Sequence, residues 1–150
     1  MTKRVQLSDG AQKPYEALIA MSRAASAAAS AAGIPPLLVE LVKIRASQLN
    51  GCAFCLDMHS AEAVEKGENP RRLFVLDAWR ETDLYSEEER AALALTESMT
   101  LLAQTRDVPD DVYDRALAVF TEEQYKAVAW LVIVINGLNR VGVTSRMPLP

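Results

Sequence analysis

A succession of helix start and stop signals along the chain is the feature that most constrains its fold. Two segments, Ser86–Glu89 and Thr121–Gln124, have the residue order of a capping box, which satisfies the first free N–H groups of a helix. Asn69-Pro70 is typical of another helix start, and Asn50-Gly51 of a helix end. No segment shows the convincing alternation of apolar and polar residues that indicates a strand. The sequence therefore predicts an all-α protein.

We expect about six to seven helices in one domain spanning residues 1–150, because a chain of 150 residues is close to the usual size of a single core. Gly33 is predicted to end the first helix in a left-handed conformation. Residues 24–32 contain only Ala and Ser, which indicates a face for close helix packing, within the subunit or between subunits. The predicted helices cover approximately residues 14–32, 36–49, 52–66, 70–80, 87–103, 110–120 and 122–140.

Charge and hydropathy indicate which binding partners and which cellular location this protein has. The net charge of −4 disfavours binding to nucleic acid or to an anionic membrane, because both require a clustered basic surface. The first ten residues lack the apolar core of a secretion signal. The most apolar stretch, Ala127–Ile135, is far shorter than the roughly 20 residues that span a bilayer. We therefore predict a cytoplasmic protein that does not cross a membrane.

The two cysteines lie only three positions apart, at Cys52 and Cys55. A pair this close closes a tiny loop and staples no distant segments, so its spacing favours redox chemistry or metal binding. On one helix, Cys52, Cys55 and His59 stand at i, i+3 and i+7 and share a face. Cys52 falls in the first turn, where free N–H groups and the helix dipole stabilise a thiolate. A histidine further along the same face can accept or donate a proton.

Glu40 lies on the preceding helix, before the reversal at Asn50-Gly51. If the two helices pack antiparallel, its carboxylate points toward the sulfur atoms. Its sequence neighbours Leu38, Val39 and Leu41 are apolar, so we expect burial to raise its pKa and to make it a general base or a proton relay.

Other uses of the cysteine pair fit the sequence less well. Haem attachment requires a histidine directly after the second cysteine, and Leu56 occupies that position. Structural zinc normally needs four Cys or His ligands, whereas Cys52 and His59 would lie about 10 Å apart along a helix. A pair of inert buried thiols remains an alternative. Without a glycine-rich phosphate loop, we predict no nucleotide, flavin or haem cofactor, and no metal.

The motif formed by Glu40, Cys52, Cys55 and His59 resembles the active-site motif of alkylhydroperoxidase-D-like (AhpD-like) proteins, a group within the carboxymuconolactone decarboxylase superfamily. The residues before the first cysteine are also similar to that group, and the resemblance extends from about residue 14 to residue 141. One departure is Phe54, since the founding branch has a histidine immediately before its second cysteine.

The resemblance implies an AhpD-like helical bundle that assembles into trimers or hexamers and reduces hydroperoxides in antioxidant defence. It implies that Cys55 attacks the peroxide and becomes a sulfenic acid. Cys52 would donate a proton and then resolve the sulfenic acid as a disulfide, with Glu40 and His59 completing a proton relay. The position of Cys52 in the first helical turn instead favours Cys52 as the more reactive thiol.

An external dithiol, carried by a lipoyl group or a thioredoxin-like protein, would reduce the disulfide. Two other functions stay open from the sequence. One is a thiol–disulfide oxidoreductase or redox sensor without peroxidase activity. The other is a non-redox decarboxylase of the same superfamily, or a structural oligomer.

Overall fold

The architecture is all-α, as predicted. The structure is a computed structural model, and it describes residues 2–9 and 12–150. Within that part of the chain there are eight α-helices and one 3-10 helix, and no strand. The α-helices are α1 (Gln12–Ala31), α2 (Pro36–Asn50), α3 (Ala53–Glu65), α4 (Pro70–Phe74), α5 (Glu87–Thr100), α6 (Leu102–Thr105), α7 (Asp110–Val119) and α8 (Glu122–Ser145). The 3-10 helix covers Leu76–Glu81, between α4 and α5.

The predicted number of six to seven helices was too low, because two predicted helices are divided. The helix predicted over residues 70–80 breaks at Val75 into α4 and the 3-10 helix. In a 3-10 helix, residues three apart lie on one face, and this places Leu76 and Trp79 together in the core. The helix predicted to reach residue 103 ends at Thr100, and α6 follows after Leu101.

The predicted start signals of two helices and the predicted end signals of two others are confirmed. Both capping boxes form, at Ser86–Glu89 and at Thr121–Gln124. Gly33 and Gly51 adopt left-handed backbone angles, with φ of 78° and 67°. Since a side chain would strain that conformation, glycine is the residue that allows each helix to end there.

Helix α2 is the central element, and it contacts α8, α3 and α5. One core lies between α1, α2, α5, α7 and α8, and a second lies between α2, α3, the 3-10 helix and α5. Because α2 is covered on several sides, its polar residues Glu40, Arg45 and Ser47 are buried and must find partners inside the protein. In α1, Ala25 and Ala29 are buried at a spacing of one turn, which confirms a packing face in the Ala/Ser segment.

Helix α8 continues to Ser145, five residues beyond its predicted end at Arg140. By length and composition it is the one helix among the described residues that could span a bilayer, so the length argument from Ala127–Ile135 alone was too strict. Its packing is that of a core helix, because the buried side chains of that same stretch lie against α1 and α2.

A buried ion cluster ties α2 to the 3-10 helix and α5. The Nε atom of Arg45 donates to Oε1 of Glu97 at 2.8 Å, and the indole N–H of Trp79 donates to the same oxygen at 2.7 Å. Arg45 also pairs with Asp77. The Arg45 and Glu97 side chains are only 7% and 12% exposed, so each charge depends on its partner.

We predict that Glu97→Ala lowers the free energy of unfolding by about 1–3 kcal/mol for each of two buried donors, the Nε–H of Arg45 and the indole N–H of Trp79, because both lose their acceptor. Urea denaturation measures the change. Glu87→Ala is the control, since Glu87 pairs with Arg115 at the exposed surface and should contribute about 1 kcal/mol or less. Equal losses in the two variants would contradict a structural role for the cluster.

Candidate active site

The turn between α2 and α3 brings the motif residues together. After the left-handed Gly51, the backbone N–H of Cys52 donates to the carbonyl of Ser47 at 3.0 Å, and the N–H of Gly51 donates to that of Gln48 at 3.2 Å. The chain thereby reverses within two residues, and α3 packs back along α2. The prediction that Glu40 approaches the cysteine segment required this antiparallel arrangement of α2 and α3.

Cys52 and Cys55 form a disulfide at the start of α3, with their Cα atoms 5.4 Å apart. Cys52 is the N-cap residue, directly before the first helical residue, and its sulfur accepts a hydrogen bond from the backbone N–H of Cys55 at 3.4 Å. Both cysteines are buried, at 1% and 4% exposure. The helix therefore begins one residue later than predicted, and the two sulfurs lie at disulfide-bonding distance.

His59 follows Cys55 by one turn on the buried face of α3. Its Nδ1 atom lies 2.9 Å from Oε2 of Glu40, and both residues are nearly inaccessible, at 5% and 1% exposure. An ionised carboxylate can only accept hydrogen bonds, so Nδ1 of the ring carries the proton in this contact. The second ring nitrogen, Nε2, is then the one available for other partners.

The other oxygen of Glu40 faces two lysines that the sequence did not single out. Lys66, at the end of α3, donates to Oε1 at 2.6 Å, and the Nζ atom of Lys43 lies 3.7 Å from the same oxygen. Glu62 completes the cluster, with an oxygen 3.5 Å from Nδ1 of His59. Glu62 and Lys66 follow His59 by three and seven residues, so their helical spacing could have indicated their presence on that face.

These contacts overturn the predicted rise in the pKa of Glu40. Burial raises the pKa, but the hydrogen bonds from His59 and Lys66 and the charge of Lys43 lower it more, and the net result is a fall from 4.5 to about 2. The apolar sequence neighbours correctly indicated burial. They could not indicate Lys66, which is 26 positions away and reaches Glu40 only because α3 folds back on α2.

Three residues of this cluster have the geometry of metal ligands. One ligand atom from each of Glu40, His59 and Glu62 lies within 4.8 Å of the others. However, the ammonium group of Lys66 lies 2.6 Å from Glu40 and 3.9 Å from Glu62. A lysine thus already balances the negative charge that would attract a cation, and a metal ion would have to displace it.

Comparison with known proteins gives the family. The model of the carboxymuconolactone decarboxylase family matches residues 15–98, more than half of the chain and the part that holds the four motif residues. The chain belongs to the carboxymuconolactone decarboxylase family.

Relatives of this family member extend the comparison. YdfG, an uncharacterized protein of Bacillus subtilis, is 48% identical over 104 residues, which are 69% of this chain and 70% of YdfG. YnjA, an uncharacterized protein of Escherichia coli, is 32% identical over 117 residues, or 78% of this chain but only 62% of YnjA. The solved structure of ATU0492 from Agrobacterium tumefaciens matches with a TM-score of 0.88 and 30% identity, over 99% of both chains. ATU0492 is of unknown function and is described as a candidate antioxidant defence protein, AhpD, so the fold is AhpD-like.

In this family member, α8 packs against α2 and α3 beside the site. Asn139 donates to the hydroxyl of Ser47 at 2.9 Å and accepts from the side chain of Asn50, also at 2.9 Å. Asn136 accepts from Asn50 as well. Asn136 and Asn139 therefore lie inside α8 and fix it to the end of α2.

Gly142 allows the backbone of α8 to lie directly against the disulfide. A Cβ atom at this position would come within 2.8 Å of the Cys52 sulfur and 3.7 Å of the Cys55 sulfur. A contact of 2.8 Å is far shorter than ordinary van der Waals contact, so any side chain at residue 142 would displace the sulfur or the helix. Nothing in the local sequence predicted this role.

We predict that Gly142→Ala favours the dithiol over the disulfide. The reduced Cys52 side chain can rotate away from the added methyl group, whereas the bonded sulfur cannot. If the overlap costs about 1–3 kcal/mol in the disulfide form alone, the reduction potential rises by roughly 20–60 mV. Redox titration against glutathione measures the potential.

Gly137→Ala is the matched control, because its added Cβ would meet only the end of the Leu18 side chain, at 3.3 Å. Both changes add an alanine to the interior of α8 and gain similar helix propensity. An equal potential in both variants would show that residue 142 does not set the position of the disulfide.

The site approaches solvent on two sides. Cys52 lines a cavity of about 650 Å³ between the start of α3, the end of α8 and the C-terminal residues. Glu40, Lys43 and Lys66 line a separate groove of about 440 Å³ beside the end of α1. Cys52 and Glu40 are each only 1% exposed, so each borders a surface recess from beneath a nearly complete cover of protein atoms.

Proposed function

We propose that this protein is a thiol-dependent peroxidase that reduces hydroperoxides through a Cys52–Cys55 dithiol/disulfide cycle. The observation that carries the proposal is the disulfide at the start of α3, with the buried His59–Glu40 pair one turn further along the same helix face. Membership of the carboxymuconolactone decarboxylase family and the likeness to ATU0492 support it.

The low pKa of Glu40 changes the part that this residue plays in the reaction. A carboxylate that binds a proton only near pH 2 is a poor general base near neutrality. We therefore assign the exchange of protons with the thiols to His59, through Nε2. Glu40 keeps the proton on Nδ1 and stabilises the imidazolium that forms, as an orienting carboxylate does beside other catalytic histidines.

In the oxidative half of the cycle, His59 accepts the proton of Cys55. The thiolate attacks the distal oxygen of the hydroperoxide, so the O–O bond breaks and Cys55 becomes a sulfenic acid. The leaving alkoxide takes a proton from Cys52 or His59 and departs as an alcohol. Cys52 then displaces water from the sulfenic acid and the disulfide forms.

In the reductive half, an external dithiol returns both cysteines to thiols and is itself oxidised to a disulfide. Of the two sulfur-bearing residues, Cys52 lines the cavity, so an incoming thiolate would attack Cys52 and release Cys55 as the leaving thiolate. That order restores at Cys55 the thiolate that attacks the next peroxide. A lipoyl group or a thioredoxin-like protein would supply the dithiol.

We predict that Cys55→Ser consumes no hydroperoxide. Cys52→Ser should consume about one equivalent and then stop, because it forms the sulfenic acid but has no thiol to resolve it. Stopped-flow measurement of peroxide loss, with mass spectrometry of the sulfenic acid, distinguishes the two variants. Full turnover by Cys55→Ser would rule out the scheme, and a single turnover by Cys55→Ser alone would exchange the roles of the two cysteines.

A second candidate is a thiol–disulfide oxidoreductase without peroxidase activity. The position of Cys52 in the cavity lining favours it, since disulfide exchange requires a partner thiolate to reach only one of the two sulfurs. Exchange with a dithiol at a rate unaffected by peroxide, together with no loss of hydroperoxide, would establish this alternative.

We also propose a homo-oligomer, a trimer or a hexamer, in the cytoplasm. Its support is the apolar surface that the single chain leaves uncovered on α8, where Trp130 and Ile133 are 51% and 46% exposed. Large aromatic and aliphatic side chains of this kind are common at the centres of protein interfaces.

A further inference from the structure

The cavity beside the disulfide is larger than the reduction of a small peroxide requires. Its floor is the start of α3, formed by Gly51, Cys52 and Ala53, and one wall is α8 at Gly142. The segment Met147–Leu149 covers it from the C-terminal side. At about 650 Å³, the cavity has the size of sites that enclose an organic molecule, whereas hydrogen peroxide would occupy a small part of it.

The charges that line the cavity are both positive. They belong to Arg4 and Arg146, and the other lining residues are uncharged and mostly apolar. Within residues 2–9 and 12–150, neither arginine forms an ion pair with a carboxylate. An adjoining groove shares both arginines and adds Lys3 and a single carboxylate, Asp9, so positive charge predominates there too. The whole protein has a net charge of −4, so this local excess of positive charge indicates a site that attracts an anion.

Hydrogen bonds hold the two arginine-bearing segments against the end of α8. The side chain of Gln6 donates to the carbonyl of Ser145 at 2.8 Å, and the N–H of Leu7 donates to the Ser145 hydroxyl at 3.0 Å. Arg4 donates to the carbonyl of Thr144 at 3.2 Å. The N-terminal segment is thereby fastened beside the cavity rather than extended into solvent.

Arg146 reaches its place through an unusual turn. It adopts a left-handed conformation, with φ of 48°, which is uncommon for a residue with a side chain. The turn lets the N–H of Met147 donate to the carbonyl of Gly142 at 3.0 Å and directs the following residues back across the cavity. Arg4 also donates to a free carbonyl at this helix end, where the helix dipole favours a basic residue.

We propose that the cavity binds an organic hydroperoxide with an apolar body and a carboxylate, and that Arg4 and Arg146 bind the carboxylate. The inference rests on the proposed peroxidase function and adds the class of substrate. Guanidinium groups form paired hydrogen bonds with carboxylates, which orients the bound molecule as well as attracting it. The peroxide end then lies at the start of α3, beside Cys52 in the cavity lining and within one helical turn of Cys55. Cys55 takes the distal oxygen, the substrate leaves as the hydroxy acid, and Cys52 closes the disulfide with release of water.

The first test compares cumene hydroperoxide with the same molecule bearing a para-carboxylate. We expect kcat/KM to be roughly ten-fold or more higher for the acid, the range of a charged hydrogen bond, and the ratio to fall to about one in the Arg4→Gln/Arg146→Gln variant. The preference should weaken as salt is added. Arg71→Gln, an exposed arginine on α4 remote from the cavity, is the control and should leave the ratio unchanged.

The second test does not depend on peroxidase activity. The reduced protein is alkylated with iodoacetate or with iodoacetamide, which are similar in size but differ in charge, and modification of Cys52 is followed by mass spectrometry. We expect the ratio of the iodoacetate rate to the iodoacetamide rate to be several-fold higher in the wild-type protein than in the double arginine variant.

The outcomes separate the inference from the proposed function. Turnover of both hydroperoxides with equal kcat/KM, and equal alkylation ratios in wild type and variant, would overturn the carboxylate site and leave the peroxidase intact. Turnover of neither hydroperoxide would overturn the peroxidase and the hydroperoxide ligand with it. If the wild-type protein still had the higher ratio of iodoacetate to iodoacetamide rates in that case, the arginines would bind anions and only the peroxidase chemistry would be wrong.

Discussion

The hydrogen bond between buried Glu40 and His59 is the interaction on which the candidate site depends. A carboxylate with 1% exposure is tolerable only because His59, Lys66 and Lys43 surround it, at distances of 2.9, 2.6 and 3.7 Å. Two of these partners come from α3, so the charge cluster joins the helix that bears the sulfurs to the central helix of the fold. The position of His59 relative to Cys55 follows from that connection.

The same cluster couples the protonation of the site to folding. Because the folded protein lowers the pKa of Glu40 from 4.5 to about 2, folding favours the ionised carboxylate. Its contribution to stability is complete above about pH 4.5 and is lost as the pH falls toward about 2. Near neutrality the histidine thus has a permanent negative partner, and this is the condition under which its second nitrogen can exchange protons with a thiol.

The parts of this arrangement that follow from local sequence could be predicted, and those that need distant contacts could not. Capping boxes, glycine helix ends and the spacing of Cys55 and His59 are local signals. They were therefore sufficient to predict the all-α fold and the position of Cys55 and His59 on one face of α3. The direction of the Glu40 pKa shift was wrong because it depends on Lys66, which only tertiary packing brings close. Gly142 carried no local signal either, since a glycine inside an apolar helix is informative only when its neighbour across the packing is known.

The pKa of Glu40 itself tests this account most directly. A carboxyl ¹³C NMR titration of the disulfide form, with the Glu40 signal assigned by its absence in Glu40→Gln, would follow the ionisation of this one group. The account predicts a signal in the ionised position from neutral pH down to about pH 3, with the midpoint near 2. A midpoint at or above 4.5 would mean that Glu40 is protonated more easily than a free glutamate, and the assignment of the base to His59 would be contradicted.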